Sequence, residues 1–320
     1  MNELQIVVLD GYGANPGDLS WEILESIGKT TIYERTPVEL VVERSSEADI
    51  ILTNKVVVSA EHMTLLPKLK YIGVLATGYN VVDIAEAKRR GIVVTNIPSY
   101  STDSVAQTVF AHILNITNRV DYYAQQNRNG RWNNSLDFTY WDTPLHELAG
   151  KQIGIYGYGN IGAVVGRIAH AFGMNVVAVT SKKPSQLPDY VKSVSFEQML
   201  SCCDIVTLHC PLNDKTKGMI NKQTIEIMKQ GVILINTGRG PLIVEQDVAE
   251  ALQCGKMSAY GADVLSAEPP RNGSPLLQQP NAFITPHIAW ATVEARTRLM
   301  SIAINNIKAF IKGEPENVIH

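Results

Sequence analysis

The sequence predicts an α/β fold of two doubly wound parallel-sheet domains, one inserted into the other. Three observations point to it. Short, nearly continuous apolar runs alternate with amphipathic helical stretches from the start of the chain. Pro98 interrupts that alternation, and a second round of it opens at Lys151. The length, 320 residues, exceeds that of one ordinary domain. Strands that are apolar throughout and alternate with helices belong to a parallel sheet covered on both faces, because each crossover lays a helix over one of them.

In the first round, residues 5–9, 31–33, 49–53, 71–75 and 92–96 read as strands. Residues 19–27, 38–44, 60–66 and 84–90 read as helices, the last closed by Gly91. After Pro98, the run Ser101 to Ser104 opens a long helix reaching about residue 128. Its apolar positions Val105, Val109, Ile113 and Ile116 recur at helical spacing. A polar stretch, 129–143, then carries Trp132, Phe138, Tyr140 and Trp141. So many aromatic residues in a loop predict an arm buried against a partner subunit.

The second round supplies strands at 152–156, 175–179, 204–209, 232–236, 258–263 and 282–285, the six of a doubly wound dinucleotide fold. A final helix, about 293–312, is expected to pack on the first domain, since the second is complete without it. The boundaries therefore put residues 1–98 with 289–320 in one domain and 99–288 in the other.

The strand 152–156 runs directly into Gly157-x-Gly159-x-x-Gly162, and a helical pattern follows at once. That order is what a dinucleotide site requires. The first glycine makes the tight turn, the second lets the pyrophosphate approach the backbone, and the third allows close helix–strand packing. Phosphates then meet free amides at the positive end of that helix, read as Ala163 to Phe172, with Asn160 in the loop before it among the cofactor-binding positions.

Composition narrows the alternatives. The apolar share, 45%, supports a sizeable core, and a formal charge of −3 without a basic block argues against a nucleic-acid partner. No apolar run approaches the roughly 18 residues of a membrane span. The first ten residues lack a basic start and a cleavage site, and are expected to form a strand rather than a signal peptide. Cys202, Cys203, Cys210 and Cys254 show neither a paired framework nor metal spacing, which suggests thiols in a reducing, cytoplasmic compartment. The seven histidines are scattered, so no metal is expected.

Three polar groups follow predicted strands of the second domain: Arg239 after 232–236, Glu268 after 258–263, and His287 after 282–285. Parallel strands deliver them to one edge of one sheet. Interconverting a 2-hydroxy acid and its 2-oxo acid needs a proton moved at oxygen and a hydride at carbon. A histidine suits the proton, a carboxylate beside it favours the charged imidazole and fixes the ring, and a guanidinium fork grips a substrate carboxylate. The hydride belongs to the cofactor.

These motifs, with Asn236-Thr237-Gly238-Arg239-Gly240, Asp263-x-x-x-x-Glu268-Pro269 and Pro286-His287-Ile288-Ala289, resemble the signatures of the D-isomer-specific 2-hydroxyacid dehydrogenase family across essentially the whole chain. Leu75 to Asn80, Thr102 to Gln107 and His287 to Ala291 are most similar to its glycerate dehydrogenase (hydroxypyruvate reductase) branch. The resemblance implies a flavodoxin-like substrate domain holding an inserted Rossmann domain. It implies His287 as acid/base, Glu268 as its partner, Arg239 as substrate ligand, and a substrate-carboxylate loop at Ala76-Thr77-Gly78. Ile161, Cys210 with Pro211, Thr237 with Gly238, and Asp263 match positions lining the cofactor, with Asp263 near the nicotinamide carboxamide. Hydroxypyruvate/D-glycerate or glyoxylate/glycolate is the implied substrate pair, a homodimer the implied assembly, in agreement with the aromatic arm, and Trp141 a side chain reaching a neighbouring subunit.

One departure bears on the cofactor. An NAD-preferring site places an acid at the end of the second strand. Here that strand ends in Thr180-Ser181-Lys182-Lys183, and no acid occurs between Gly157 and Pro188. Hydroxyls and lysines suit a 2′-phosphate, so NADP(H) is expected to serve with or above NAD(H). The alternative function is a dinucleotide-sensing binding protein, corepressor-like, on the same fold. It would need no turnover, whereas Arg239, Glu268 and His287 are all present.

Overall fold

The computed structural model describes residues 3–319. The first two residues and the last, ends of the expected substrate domain and of the N-terminal strand reading, lie outside the described residues. The chain forms two compact units, Met1–Ser101 with Trp290–His320, and Thr102–Ala289.

The first unit holds five parallel strands: β1 (Gln5–Val8), β2 (Lys29–Ile32), β3 (Ile50–Thr53), β4 (Tyr71–Val74) and β5 (Val93–Thr95). Their order, β2-β1-β3-β4-β5, is the flavodoxin-like one. Ile50, Ile51, Leu52 and Tyr71 are fully buried because helices cover both faces of the sheet. The last helix, Val293–Ile311, packs on this unit: Ala295, Leu299, Ala303 and Ile307 share a core with Ile6, Val8 and Tyr71. Beyond it the chain returns to β5. Asn96 N–H donates to Asn317 and Ile319 N–H to Val94, which occupies the free edge of that strand.

The second unit has seven parallel strands: β6 (Gln152–Tyr156), β7 (Asn175–Val179), β8 (Val191–Ser193), β9 (Ile205–Leu208), β10 (Val232–Asn236), β11 (Met257–Ala262) and β12 (Ala282–Ile284). The order β12-β11-β10-β9-β6-β7-β8 is the Rossmann order with one strand added at an edge. It reverses between β6 and β9, so the loops after those two strands open a crevice at the carboxyl edge.

Two elements differ from the sequence reading. The long helix is broken into Thr102–Asn118 and Val120–Arg128 by Arg119, whose φ of 51° is left-handed. No proline or glycine marks the break, and Arg119 N–H still reaches the Asn115 carbonyl, so the periodicity runs through it unaltered. The seventh strand, β8, was not anticipated: of Val191, Lys192 and Ser193 only the first is buried, and an edge strand of three residues leaves almost no apolar signal.

The aromatic arm is folded back. Asp142 takes a bidentate contact from Arg131 and a hydrogen bond from the Tyr122 hydroxyl, and Trp132 donates to the Phe138 carbonyl. Polar clasps hold it, while Leu136 (103% exposed), Phe138 (88%) and Trp141 (64%) face outward.

Candidate active site

The glycine loop is built as its spacing predicts. Gly157 has a φ of 96°, and a Cβ there would lie 2.7 Å from the His209 carbonyl carbon. A Cβ on Gly162 would lie 2.2 Å from the Gly157 carbonyl oxygen, so this glycine is what lets the helix Asn160–Ala171 meet β6. Gly159 differs. Its φ is −82°, and a Cβ would meet nothing within 4 Å. Nothing in the protein itself requires a glycine there, which fits a guest passing close to the backbone at a helix N-terminus.

Beside this loop lies a cavity of about 360 Å³ at the carboxyl edge of β6, β7 and β9, lined among others by Gly157, Gly159, Thr180, Lys182, Cys210 and Pro211. Ser181 and His209 also line it. His209 Nε2 lies 2.8 Å from Thr207 Oγ1, and its buried Nδ1 has no partner among the described residues. Burial pushes its pKa down to about 4, so it is neutral at ordinary pH. Burial likewise pushes the Cys210 thiol up to about 11. The Thr237 hydroxyl is likewise buried without a partner among the described residues. Open space at Gly159 and orphaned polar atoms at Thr237 and His209 are the marks of a surface completed by a ligand. Ile161 instead packs against the core beneath the helix.

Arg239, Glu268 and His287 follow the adjacent strands β10, β11 and β12 at one edge of the sheet. Buried Asn236 shapes the Arg239 loop, since its amide donates to the Arg239 carbonyl and accepts from Gly238 N–H. Gly240 lies directly on the next loop, where a Cβ would stand 2.0 Å from the Leu265 carbonyl carbon. Leu265 N–H in turn donates to Glu268 Oε1 at 2.9 Å. The other oxygen, Oε2, lies 2.6 Å from His287 Nδ1. A carboxylate accepts there, so Nδ1 carries the proton and Nε2 is the ring nitrogen left to act. Arg239 donates one N–H to the Gly238 carbonyl and is exposed.

His287 has a φ of 55°, a left-handed backbone that costs an ordinary residue about 1–2 kcal/mol. Asp263 offsets it. This carboxylate, 1% exposed, accepts from Ile288 N–H (2.9 Å), Ala289 N–H (2.7 Å) and the Thr285 hydroxyl (2.6 Å). Asp263, expected near the nicotinamide carboxamide, is buried among three internal donors and anchors the turn that presents His287. Its spacing to Glu268 marked it in the sequence, but nothing there showed where it points. Asn236 entered the sequence reading only as the head of a motif and Thr285 only as the end of a strand, and neither was assigned a role.

In the first unit, Ala76-Thr77-Gly78 follows β4. The Ala76 carbonyl accepts from Ile97 N–H, the Thr77 hydroxyl donates to the Ile97 carbonyl, and Asn96 donates to the Thr77 carbonyl. Among the described residues no cluster of His, Cys, Asp or Glu could hold a metal, and no helix is long and apolar enough to cross a membrane.

Residues 110–289 match the family described as D-isomer specific 2-hydroxyacid dehydrogenase, NAD binding domain. Hydroxypyruvate reductase of Blautia hydrogenotrophica is 48% identical over 99% of this chain and 100% of its own length. Glycerate dehydrogenase of Methylorubrum extorquens is 40% identical over 90% of each chain. Among solved structures, an acyclic imino acid reductase, Bsp5, in complex with NADPH and D-Arg is 29% identical, with a TM-score of 0.84 over 99% of this chain and 100% of that one. The chain belongs to the D-isomer-specific 2-hydroxyacid dehydrogenase family. It is an oxidoreductase that moves a hydride between a nicotinamide cofactor and a 2-hydroxy acid/2-oxo acid pair. The corepressor-like alternative finds no support.

Proposed function

We propose that the enzyme reduces hydroxypyruvate to D-glycerate, and glyoxylate to glycolate as a second substrate, with NADP(H) used with or above NAD(H), as a cytoplasmic homodimer. The observation that carries the chemistry is the 2.6 Å contact between His287 Nδ1 and Glu268 Oε2. With Nδ1–H held by the carboxylate, His287 Nε2 places a proton on the substrate carbonyl oxygen during reduction and removes it from the hydroxyl during oxidation. Glu268 holds Nδ1–H and keeps the ring from turning. Arg239 binds the substrate carboxylate through guanidinium donors beyond the one given to Gly238, and polarises the carbonyl. In the first unit, the loop Ala76-Thr77-Gly78 keeps the carboxylate-binding role that the family resemblance implies, its carbonyls at Ala76 and Thr77 being already engaged. A nicotinamide cofactor held by the loop Gly157–Gly162 and the cavity beside it would supply the hydride in reduction and take it up in oxidation.

The substrate choice rests on likeness to relatives named for hydroxypyruvate and glycerate. The NADP(H) preference rests on Thr180, Ser181 and Lys182 lining the cavity where an acid would otherwise repel a 2′-phosphate. The dimer rests on the outward Leu136, Phe138 and Trp141, too apolar a set for solvent. Absorbance at 340 nm, followed with hydroxypyruvate, glyoxylate and pyruvate and with both cofactors, tests the reading. It stands if hydroxypyruvate has the highest kcat/KM and NADPH is used at least as well as NADH. It fails for the cofactor if NADH is favoured by about tenfold or more, roughly 1.4 kcal/mol, and Lys182→Ala leaves that ratio unchanged.

A further inference from the structure

Behind Asp263 the hydrogen-bond chain continues into the protein. The Thr285 hydroxyl has one proton, and the Asp263 carboxylate 2.6 Å away takes it. The Thr285 oxygen can then accept, and what faces it is Nε2 of His112, 3.3 Å away. His112 stands on the helix Thr102–Asn118 and is buried. It reaches Thr285 across Gly261 of β11, where a Cβ would lie 2.9 Å from the Cβ of His112. A side chain at that position would press on His112 and hold the helix off the sheet there. The same helix grips the far side of the turn, where the Ser104 hydroxyl donates to the Ala289 carbonyl.

We propose that His112 is a positioning residue for His287, acting through Thr285 and Asp263. The proposal rests on the reading of His287 as the acid/base. In the chain, His112 Nε2–H donates to Thr285, Thr285 donates to Asp263, and Asp263 receives the amides of Ile288 and Ala289. Each donor fixes the next acceptor, so the left-handed turn at His287 is set from the interior of the unit. Burial, opposed by the nearby Asp263 charge, lowers the pKa of His112, consistent with a neutral ring carrying one proton on Nε2. A random apolar replacement would leave Thr285 free to turn its hydroxyl toward the Ala262 carbonyl, 3.3 Å away, and release Asp263.

The test compares His112→Ala, His112→Gln, Thr285→Val and His287→Asn in the full chain with hydroxypyruvate, measuring kcat, KM, cofactor Kd by fluorescence and Tm. Removing support behind a catalytic group typically costs about 10- to 100-fold, so His112→Ala should lose about tenfold or more in kcat. Cofactor Kd should stay within about twofold. His112→Gln, whose Nε2 can also donate, should recover most of the loss, and Thr285→Val should reproduce it. If His112→Ala does not fold, the Thr285→Val result decides. The proposal is overturned if a folded His112→Ala or Thr285→Val enzyme keeps kcat within about twofold, or if Gln and Ala at 112 behave alike. If His287→Asn itself remains active, the acid/base reading fails instead.

Discussion

At the scale of single residues, the site depends on pairing rather than on strong individual groups. Glu268 gives one oxygen to Leu265 N–H and the other to His287, so its geometry is set by its own loop before the imidazole arrives. Glu268→Gln keeps the shape but replaces an acceptor with an amide. Its kcat should fall about 10- to 100-fold with little change in cofactor Kd, and unchanged turnover would show that the carboxylate does not orient the ring. His209 makes a separate prediction, about stability. Burial holds its pKa down at about 4, below the ordinary imidazole value of about 6.5, so the unfolded chain binds a proton that the native one refuses. Its contribution is complete above pH 6.5 and is lost as pH falls toward 4, by on the order of 3 kcal/mol at most. Urea midpoints between pH 7 and 4.5 should therefore fall less steeply for His209→Asn than for the parent. Parallel curves would show that burial does not hold this ring neutral.

Elements explain which features were legible beforehand. The glycine spacing, the apolar strands and the polar residues at their ends are local and periodic, and those lines could be read directly. What Asp263 does could not be read, because its partners at 285, 288 and 289 are distant in sequence and chosen by the pairing of β11 with β12. The break at Arg119 and the edge strand β8 were hidden for the opposite reason: neither disturbs the apolar pattern around it. The three loop glycines also separate by role. Gly162→Ala forces a Cβ onto the Gly157 carbonyl and should destabilise the fold by about 1–3 kcal/mol. Gly159→Ala meets no protein atom, so its Tm should match the parent while cofactor Kd rises severalfold. Equal losses of Tm in both variants would contradict the assignment of Gly159 to the guest.

For the whole molecule, one chain makes two parallel-sheet units by leaving the first after residue 101 and returning at 290. The arm at 129–143 is the segment on which the proposed dimer rests. Its polar clasp spans Arg131, Asp142 and Tyr122, and the neighbouring arginine holds the Asp142 carboxyl down at about 2. The clasp is therefore intact at neutral pH and orders the loop without covering Phe138 or Trp141. Phe138→Ser with Trp141→Ser should shift sedimentation from dimer to monomer while leaving far-ultraviolet dichroism unchanged. A parent that sediments as a monomer would remove the dimer from the proposal.

The most direct measurement is turnover of hydroxypyruvate by His287→Asn, because asparagine tolerates the left-handed backbone of this position and removes only the proton carrier. The expected result is a kcat lower by about 10²- to 10⁴-fold, with cofactor still bound at close to parental affinity. If His287→Asn turns over at the parental rate, the imidazole next to Glu268 is not the group that moves the proton.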